Sequence, residues 1–316
     1  MNDFAAFSMI PTAPPGFKSG FVGIIGRPNV GKSTLMNDLI GQKIAITSPV
    51  AQTTRNRLRG ILTTDEAQII FVDTPGIHKP HHQLGKVLVQ NARAAINSVD
   101  LILFVVDGST EAGGGDRFIA NMLTHSPVPV LLGLNKLDLQ AAEQAEAIED
   151  SYRDLAATAA NDAVWPLLKF SALTSEGLDS LQTLIVDRLE AGPYYYPPDL
   201  VTDQPERFIM GELIREQILR LTREEVPHSV AVAIELVEET PKLTRVHASI
   251  NVERSSQKGI LIGKSGAMLK EIGSAARTQI QKLINGKIYL ELFVRVQPRW
   301  RQSRTRLAEF GYHPDE

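Results

Sequence analysis

Short apolar runs alternate with longer stretches of mixed polarity through the first 190 residues. Residues 21–26 (FVGIIG), 68–72 (QIIFV), 101–106 (LILFVV) and 128–134 (VPVLLGL) are almost continuously apolar. Strands buried on both faces read this way, whereas half-exposed strands alternate. The stretches between them, such as 86–98 and 141–158, carry a helix-like spacing. Strand and helix in alternation predict a mainly parallel sheet with helices on both faces. A last strand over 164–170 and a helix over 176–189 complete this α/β unit.

The pattern then breaks. Residues 192–207, GPYYYPPDLVTDQPER, hold four prolines and one glycine, which disfavours any regular element. Beyond them come a helix-like stretch (208–225), two alternating strands (229–237 and 245–252), a helical pair broken at 263–266, and a strand (287–296). That order is a small α+β domain. The chain therefore divides into a leader (1–19), an α/β domain (20–191), a linker (192–206) and an α+β domain (207–316). The tyrosines at 194, 195 and 196 are expected to pack the linker against a domain rather than to stack a base.

Length and composition narrow the class. The 316 residues suit two domains, and 43% apolar with 22% charged residues is ordinary for a soluble globular protein. There is no cysteine, which excludes disulfides and Cys-based zinc sites and fits a reducing cytosol. No apolar run reaches the roughly 18 residues of a membrane span. The net charge of −3 hides an asymmetry: residues 254–306 carry twelve Lys/Arg against two Asp/Glu, a balance of +10 that leaves −13 elsewhere. A basic block of this size attracts a polyanion.

The chemistry sits at the ends of the apolar runs. Directly after the first comes Gly26-Arg27-Pro28-Asn29-Val30-Gly31-Lys32-Ser33, then Thr34, which can open a helix. In a G-x-x-x-x-G-K-S turn the backbone N–H groups curl around phosphate oxygens at a helix N-terminus. Lys32 would reach the β- and γ-phosphates, and Ser33 would ligate Mg²⁺. Asp73-Thr74-Pro75-Gly76 ends a second run: the acid can hold Mg²⁺ through water, and the Gly76 N–H can meet the γ-phosphate. Asn135-Lys136-Leu137-Asp138 ends a third. The Asp138 carboxylate can accept from both N1–H and the exocyclic amine of guanine, a donor pair that adenine lacks. This points to GTP, with ATP as the alternative. Asn135 would tie the loops together, and the Lys136 stem would cover a base face. Ser171-Ala172-Leu173 follows the last run and could offer the Ala172 N–H to guanine O6.

Within the basic block, Gly263-Lys264-Ser265-Gly266 separates Ile260-Leu261-Ile262 from Ala267-Met268-Leu269. A GXXG loop between helices lets a nucleic-acid backbone approach closely. Ile262, Gly263, Lys264, Ser265 and Gly266, with Lys258 and Lys270, form the candidate RNA contact, and the expected ligand is single-stranded RNA. Ile260, Ile262, Met268, Leu269 and Ile272 are divided between core and base groove. The histidines at 78, 81 and 82 are read as part of a mobile loop rather than as a zinc site.

These motifs resemble the translation-factor-like GTPases, and more narrowly the bacterial Era family. The resemblance covers about residues 20 to 312. It rests on GRPNVGKSTLMN, AQTTRNRLRGI (51–61), DTPGIHKP, NKLD, SAL, YYYPPDLVTDQPERF and ILIGKSGAMLKEIG. It implies a P-loop GTPase domain followed by a type II KH domain. It also implies Mg²⁺ as cofactor, and 16S ribosomal RNA and the 30S subunit as partners in the cytoplasm. Within 52–56 the resemblance places the first switch, with Thr54 favoured over Thr53 as the Mg²⁺ ligand. Many small GTPases orient the attacking water with a glutamine after DxxG. Here that position is Ile77, so Asn29 is a candidate K⁺ ligand, as in related GTPases that lack the glutamine. Peripheral membrane association, known for the family, leaves no clear mark here. A relative with tandem GTPase domains is disfavoured, because the chain holds one motif set. Two rivals remain: a GTP-gated RNA-binding scaffold with incidental hydrolysis, and a transport or membrane-remodelling GTPase, which the basic GKSG block disfavours.

Overall fold

The computed structural model describes residues 10–50, 53–55, 57–74, 76, 96, 98–124, 126–159 and 165–312. Almost all of the expected helix over 86–98 lies outside these residues. So do His78, His81, His82, Pro75, Ile77, Gln52 and Asn56. The chain forms two compact units. Among the described residues, the first takes in 10–44, 57–76 and 96–203, and the second 45–55 and 204–312.

The first unit is built on a six-stranded sheet. Its strands are β1 (Lys18–Ile25), β2 (Leu58–Thr63), β3 (Ala67–Asp73), β4 (Leu101–Asp107), β5 (Val130–Asn135) and β6 (Leu167–Lys169), in the order β2-β3-β1-β4-β5-β6. All neighbours are parallel except β2, which runs antiparallel to β3. Every residue of β3 and β5 is buried, as their unbroken apolar text predicts. Helices α1 (Lys32–Ile40), α2 (Gly114–Leu123), α3 (Ala145–Ala159) and α4 (Leu178–Arg188) connect the strands. Several boundaries differ from the sequence reading, three of them with a clear local cause. β1 begins at Lys18, because Lys18 and Ser19 pair with Ala67 and Gln68 of β3 and carry the strand into the expected leader. β6 keeps three residues where 164–170 was expected. α4 starts only at Leu178, because Gly177 before it stands at φ +77° in the left-handed region.

The proline-rich stretch forms no helix or strand as far as Pro205, yet it is not free. Gln68 on β3 is fully buried and accepts the N–H groups of Tyr195 and Tyr196, at 2.8 and 3.0 Å, while donating to the Tyr196 carbonyl. Arg59 on β2 pairs with Asp203 at 2.7 Å, and the Ile61 N–H donates to the Val201 carbonyl. Tyr194 packs on Phe17 and Tyr195 on Phe21, with ring centroids 4.4 and 5.2 Å apart. The stretch up to Asp203 thus belongs to the first unit.

The second unit has a three-stranded sheet of β7 (Ala231–Thr240), β8 (Leu243–Val252) and β9 (Ile288–Val296). β7 and β8 form an antiparallel hairpin; β8 and β9 are parallel. A parallel pair requires a crossover, and α7 (Ser255–Ile262) and α8 (Ala267–Ile284) supply it. Before β7 lie α5 (Glu206–Leu221) and the one-turn α6 (Val226–Ser229); α9 (Arg304–Glu309) follows β9. Val246, Ala248, Ile250 and Val252 alternate along β8 and are fully buried against Ile214, Ile218, Ile272, Ala276 and Ile280. Ile46, from the stretch between α1 and β2, is part of the same core.

Candidate nucleotide site and RNA-facing loop

Four motifs stand at C-terminal strand ends of the first sheet, where open α/β sheets bind ligands. After β1, Gly31 caps α1 at φ +97°, and Asn29 stands at φ +65° with its side chain exposed. A Cβ on Gly26 would fall 2.3 Å from the Val105 carbonyl oxygen, and one on Gly76 would fall 2.7 Å from the Pro28 nitrogen. Both glycines are therefore required by close backbone approach. Lys32 is buried and folds its ammonium onto the carbonyls of Gly26 and Arg27, at 3.2 and 2.9 Å. Burial pushes its pKa down to about 8, opposed by the charge of Asp73.

The Ser33 hydroxyl donates to Asp73 Oδ2 at 2.6 Å, with Asp73 fully buried at the end of β3. The buried Thr74 hydroxyl donates to the Ile24 carbonyl and fixes the turn. A hydroxyl whose proton is taken by a buried carboxylate leaves its oxygen lone pairs for a hard cation, so this donor set fits Mg²⁺.

The base loops are joined through Asn135. Its Nδ2 donates to the Val30 carbonyl at 2.8 Å, and its Oδ1 accepts the Ala172 N–H at 2.8 Å. Asp138 is exposed and accepts from Ser171 at 2.5 Å. Lys136, at φ +73°, pairs with Asp107 at 2.6 Å. Burial raises the Asp107 carboxyl, but hydrogen bonds from Lys136 and Ser109 outweigh it and hold the pKa below the usual range. Leu137 is half-buried and Leu173 is 75% exposed beside this loop.

Two supporting residues were absent from the sequence reading. Asp116 on α2 is fully buried; it accepts from Arg27 Nε at 2.7 Å and from the Gly113 N–H at 2.9 Å. It holds the P-loop from the side. Asp107 is the second. Asp107 ends an apolar run and Asp116 follows three glycines, and neither carries a local signal of its partner.

Thr53 and Thr54 are grouped with the second unit. The Thr53 hydroxyl is committed to the Val50 carbonyl at 2.6 Å and to Ser48 at 2.7 Å.

In the second unit the GKSG loop joins α7 to α8. Gly263, Ser265 and Gly266 all have positive φ (72°, 52° and 80°), a conformation that favours the two glycines of the turn. Lys264, Ser265 and Lys270 are exposed, while Lys258 and Ile262 are half-buried. The apolar residues divide clearly. Leu261 and Ile272 are fully buried, Met268 and Leu269 pack partly on the core, and Ile260 is 47% exposed. Ile260 is thus the apolar side chain offered to solvent beside the loop.

A phosphate-binding turn, a guanine-type base loop and a GXXG loop in a separate α+β unit together define a P-loop GTPase carrying a KH domain. A family profile described as "50S ribosome-binding GTPase" matches residues 21–136, and one described as "KH domain" matches 225–301. The chain is 73% identical over 307 residues to GTPase Era of Rippkaea orientalis, covering 97% of this chain and 96% of that protein. It is 64% identical over 315 residues to GTPase Era of Synechocystis sp., covering 100% and 99%. Two solved Era structures, each 38% identical, superpose with TM-score 0.88 over 94% of this chain and 99% of theirs. One is Aquifex aeolicus Era bound to GDP and AlF₄⁻; the other is Era in complex with MgGDPNP and nucleotides 1506–1542 of 16S ribosomal RNA. This chain belongs to the Era family of GTPases.

Proposed function

We propose that this chain binds GTP with Mg²⁺, hydrolyses it to GDP and phosphate, and binds 16S ribosomal RNA through its GKSG-bearing unit during maturation of the 30S subunit in the cytoplasm. The observation that carries the nucleotide reading is Asn135, bonded at once to Val30 in the phosphate loop and to Ala172 in the base loop. One side chain sets the distance between the phosphate site and the base site. The Era complex with MgGDPNP and 16S RNA supports the ligand choice.

Each residue then has a role. The N–H groups of 26–34 surround the phosphates. Lys32 exchanges the Gly26 and Arg27 carbonyls for phosphate oxygens. Asp138 reads the guanine edge, steadied by Ser171, while Ala172 meets O6 and Leu137 and Leu173 flank the base. Ser33, Asp73 and Thr54 would hold Mg²⁺, which neutralises charge on the β- and γ-oxygens when bound. Ile77 offers no acceptor to the attacking water, so hydrolysis needs another source of charge stabilisation. Asn29, exposed on the phosphate loop, is the candidate ligand for a K⁺ ion that would supply it. In the RNA site, Gly263 to Gly266 admit the sugar–phosphate backbone, Lys258, Lys264 and Lys270 attract it, and Ile262 borders the base groove. Leader, GTPase domain, linker and KH domain occupy 1–19, 20–191, 192–206 and 207–316 in this reading.

Single-turnover hydrolysis with and without immature 30S particles is the decisive experiment. Acceleration by the particle supports a GTPase switch. RNA binding that depends on GTP, with hydrolysis slow in both conditions, supports a scaffold instead. Peripheral membrane association is a separate expectation of the family, tested by flotation with liposomes.

A further inference from the structure

The phosphate loop is fastened at its two ends by different side chains. At the helix end, Asn135 bonds the Val30 carbonyl and lies against Gly31. At the strand end, the Arg27 side chain leaves the loop and enters a socket made by α2 and α3. Its Nε donates to Asp116 Oδ1 at 2.7 Å, and the Asp116 side chain is fully buried. The other Asp116 oxygen accepts the Gly113 N–H at 2.9 Å, which fixes the carboxylate to the start of α2. Tyr152, fully buried on α3, donates its hydroxyl to the Asp107 carbonyl at 3.2 Å and interacts with the Arg27 guanidinium. Burial, with Asp116 beside it, pushes the Tyr152 phenol up, so it stays neutral. The arginine stem crosses the backbone of Gly115, where an added Cβ would fall 2.5 Å from Arg27 Cδ. The run Gly113-Gly114-Gly115 thus has a local reason at its third position.

What the socket fixes is the segment beside it. The Arg27 carbonyl accepts the Lys32 ammonium at 2.9 Å. Pro28 comes next, and Gly76 is packed so closely on it that a Cβ there would fall 2.7 Å from the Pro28 nitrogen. Gly76 is the residue whose N–H is expected to meet the γ-phosphate. The rest of the cradle, Val30 to Ser33, is held instead by Asn135 and by the start of α1.

We propose that the Arg27 side chain, seated between Asp116, Gly115 and Tyr152, is a positioning residue for GTP hydrolysis. It sets Pro28, and through Pro28 the place of Gly76 at the γ-phosphate. The inference rests on the nucleotide reading given above, in which the DTPG turn serves the γ-phosphate. It separates two properties of the site. The chemical step depends on the γ-phosphate end of the loop, where a small misplacement is costly. GDP has no γ-phosphate, and its binding rests on the end that Asn135 holds.

The test uses the full chain with Mg²⁺ and two variants. Arg27→Met keeps the stem and removes the guanidinium. Gly115→Ala leaves every charge in place, suits a helix better than glycine does, and displaces the Arg27 stem. Single-turnover GTP hydrolysis and GDP affinity are measured for each. Hydrolysis should slow on the order of tenfold in both, with GDP affinity within about twofold of the wild type. A contact that merely supports the fold would lower rate and GDP affinity together. Should Arg27→Met not fold, Gly115→Ala decides. A folded Gly115→Ala that hydrolyses GTP at the wild-type rate overturns the assignment, and so does one whose GDP affinity falls as far as its rate. A wild type that leaves GTP intact, alone and with immature 30S particles, removes the hydrolytic reading itself, a distinct failure.

Discussion

A Cβ built on Gly31 would fall 2.2 Å from Asn135 Nδ2, so the last glycine of the phosphate loop and the first residue of the base loop are in direct contact. Gly31 also stands at φ +97°. Gly31→Ala should therefore cost backbone strain and push Asn135 off the Val30 carbonyl. The two penalties together are about 3 kcal/mol of folding stability, and the displaced Asn135 should weaken nucleotide binding as well. Calorimetry should find GTP and GDP weakened alike. Loss confined to one nucleotide, or less than threefold for both, would contradict the coupling of the two loops.

Asp138 sets base specificity. Asp138→Asn places an amide donor toward the guanine amine, while Ser171 can still bond the remaining oxygen. The variant should lose GTP by several kcal/mol, about the range for a site built around a specific polar group. It should gain xanthosine triphosphate, whose C2 oxygen accepts that donor. Undiminished GTP binding would sink the base-site assignment.

The two glycines of the GKSG loop differ as probes. A Cβ on Gly263 would lie 2.8 Å from Met268 Cβ, whereas Gly266 has nothing within 4 Å. Gly263→Asp should disturb the α7–α8 junction as well as RNA binding. Gly266→Asp should keep the fold at a cost of about 1 kcal/mol for its positive φ and repel phosphate. Lys264→Glu, at an exposed position, should weaken RNA binding uniformly across sequences and lower the salt slope by about one or two. RNA binding that survives Gly266→Asp and Lys264→Glu together would move the contact elsewhere.

Potassium is tested by ion replacement. With Ile77 after DxxG, hydrolysis should run faster in K⁺ than in Na⁺ at equal ionic strength. Asn29→Ala should abolish the difference while GTP still binds. Equal rates in both salts, with and without the ribosomal particle, would dispose of the ion.

Lys32 predicts the pH response. Its pKa is about 8 in the protein without phosphate, and an anionic ligand raises it. Binding therefore takes up a proton above pH 8. The affinity is fully present below that value and falls as pH rises through it, by up to about tenfold per unit. Calorimetry in buffers of different ionisation heat should show uptake at pH 9 and little at pH 7. No uptake at pH 9 would mean that Lys32 stays charged in the free protein.

The local chemistry was legible in the sequence because it depends on contiguous residues. GRPNVGKS, DTPG, NKLD and GKSG each need a strand or helix beside them, and apolar runs announce strands directly. What was hidden depends on distant partners. β2 lies outside the apolar runs that were read as strands, and its place as an antiparallel edge is set by β3. Arg55 carries no local mark of burial, which the distant carbonyls of Pro227 and Val230 account for. The prolines at 193, 197 and 198 rightly exclude regular structure, but the strap they form is dictated by Gln68, which looks like any polar residue in a strand. Asp116 gives no sign in sequence that it will brace Arg27.

The parallel pairing of β8 with β9 carries a consequence for how the molecule is made. Until β9 has emerged, the central strand of the second sheet has only β7 beside it, and α8 lacks part of the surface it packs on. The GKSG turn lies inside the crossover between the two strands, and Trp300, bonded to the Ser229 carbonyl at 2.9 Å, closes the unit later still. At about 5–20 residues per second, the RNA-gripping half is assembled some seconds after the nucleotide-binding half has left the ribosome that translates it. A nascent chain thus completes the phosphate and base loops of the first unit before the GKSG-bearing unit can close, which limits the time in which an unfinished copy could seize the RNA of the particle producing it.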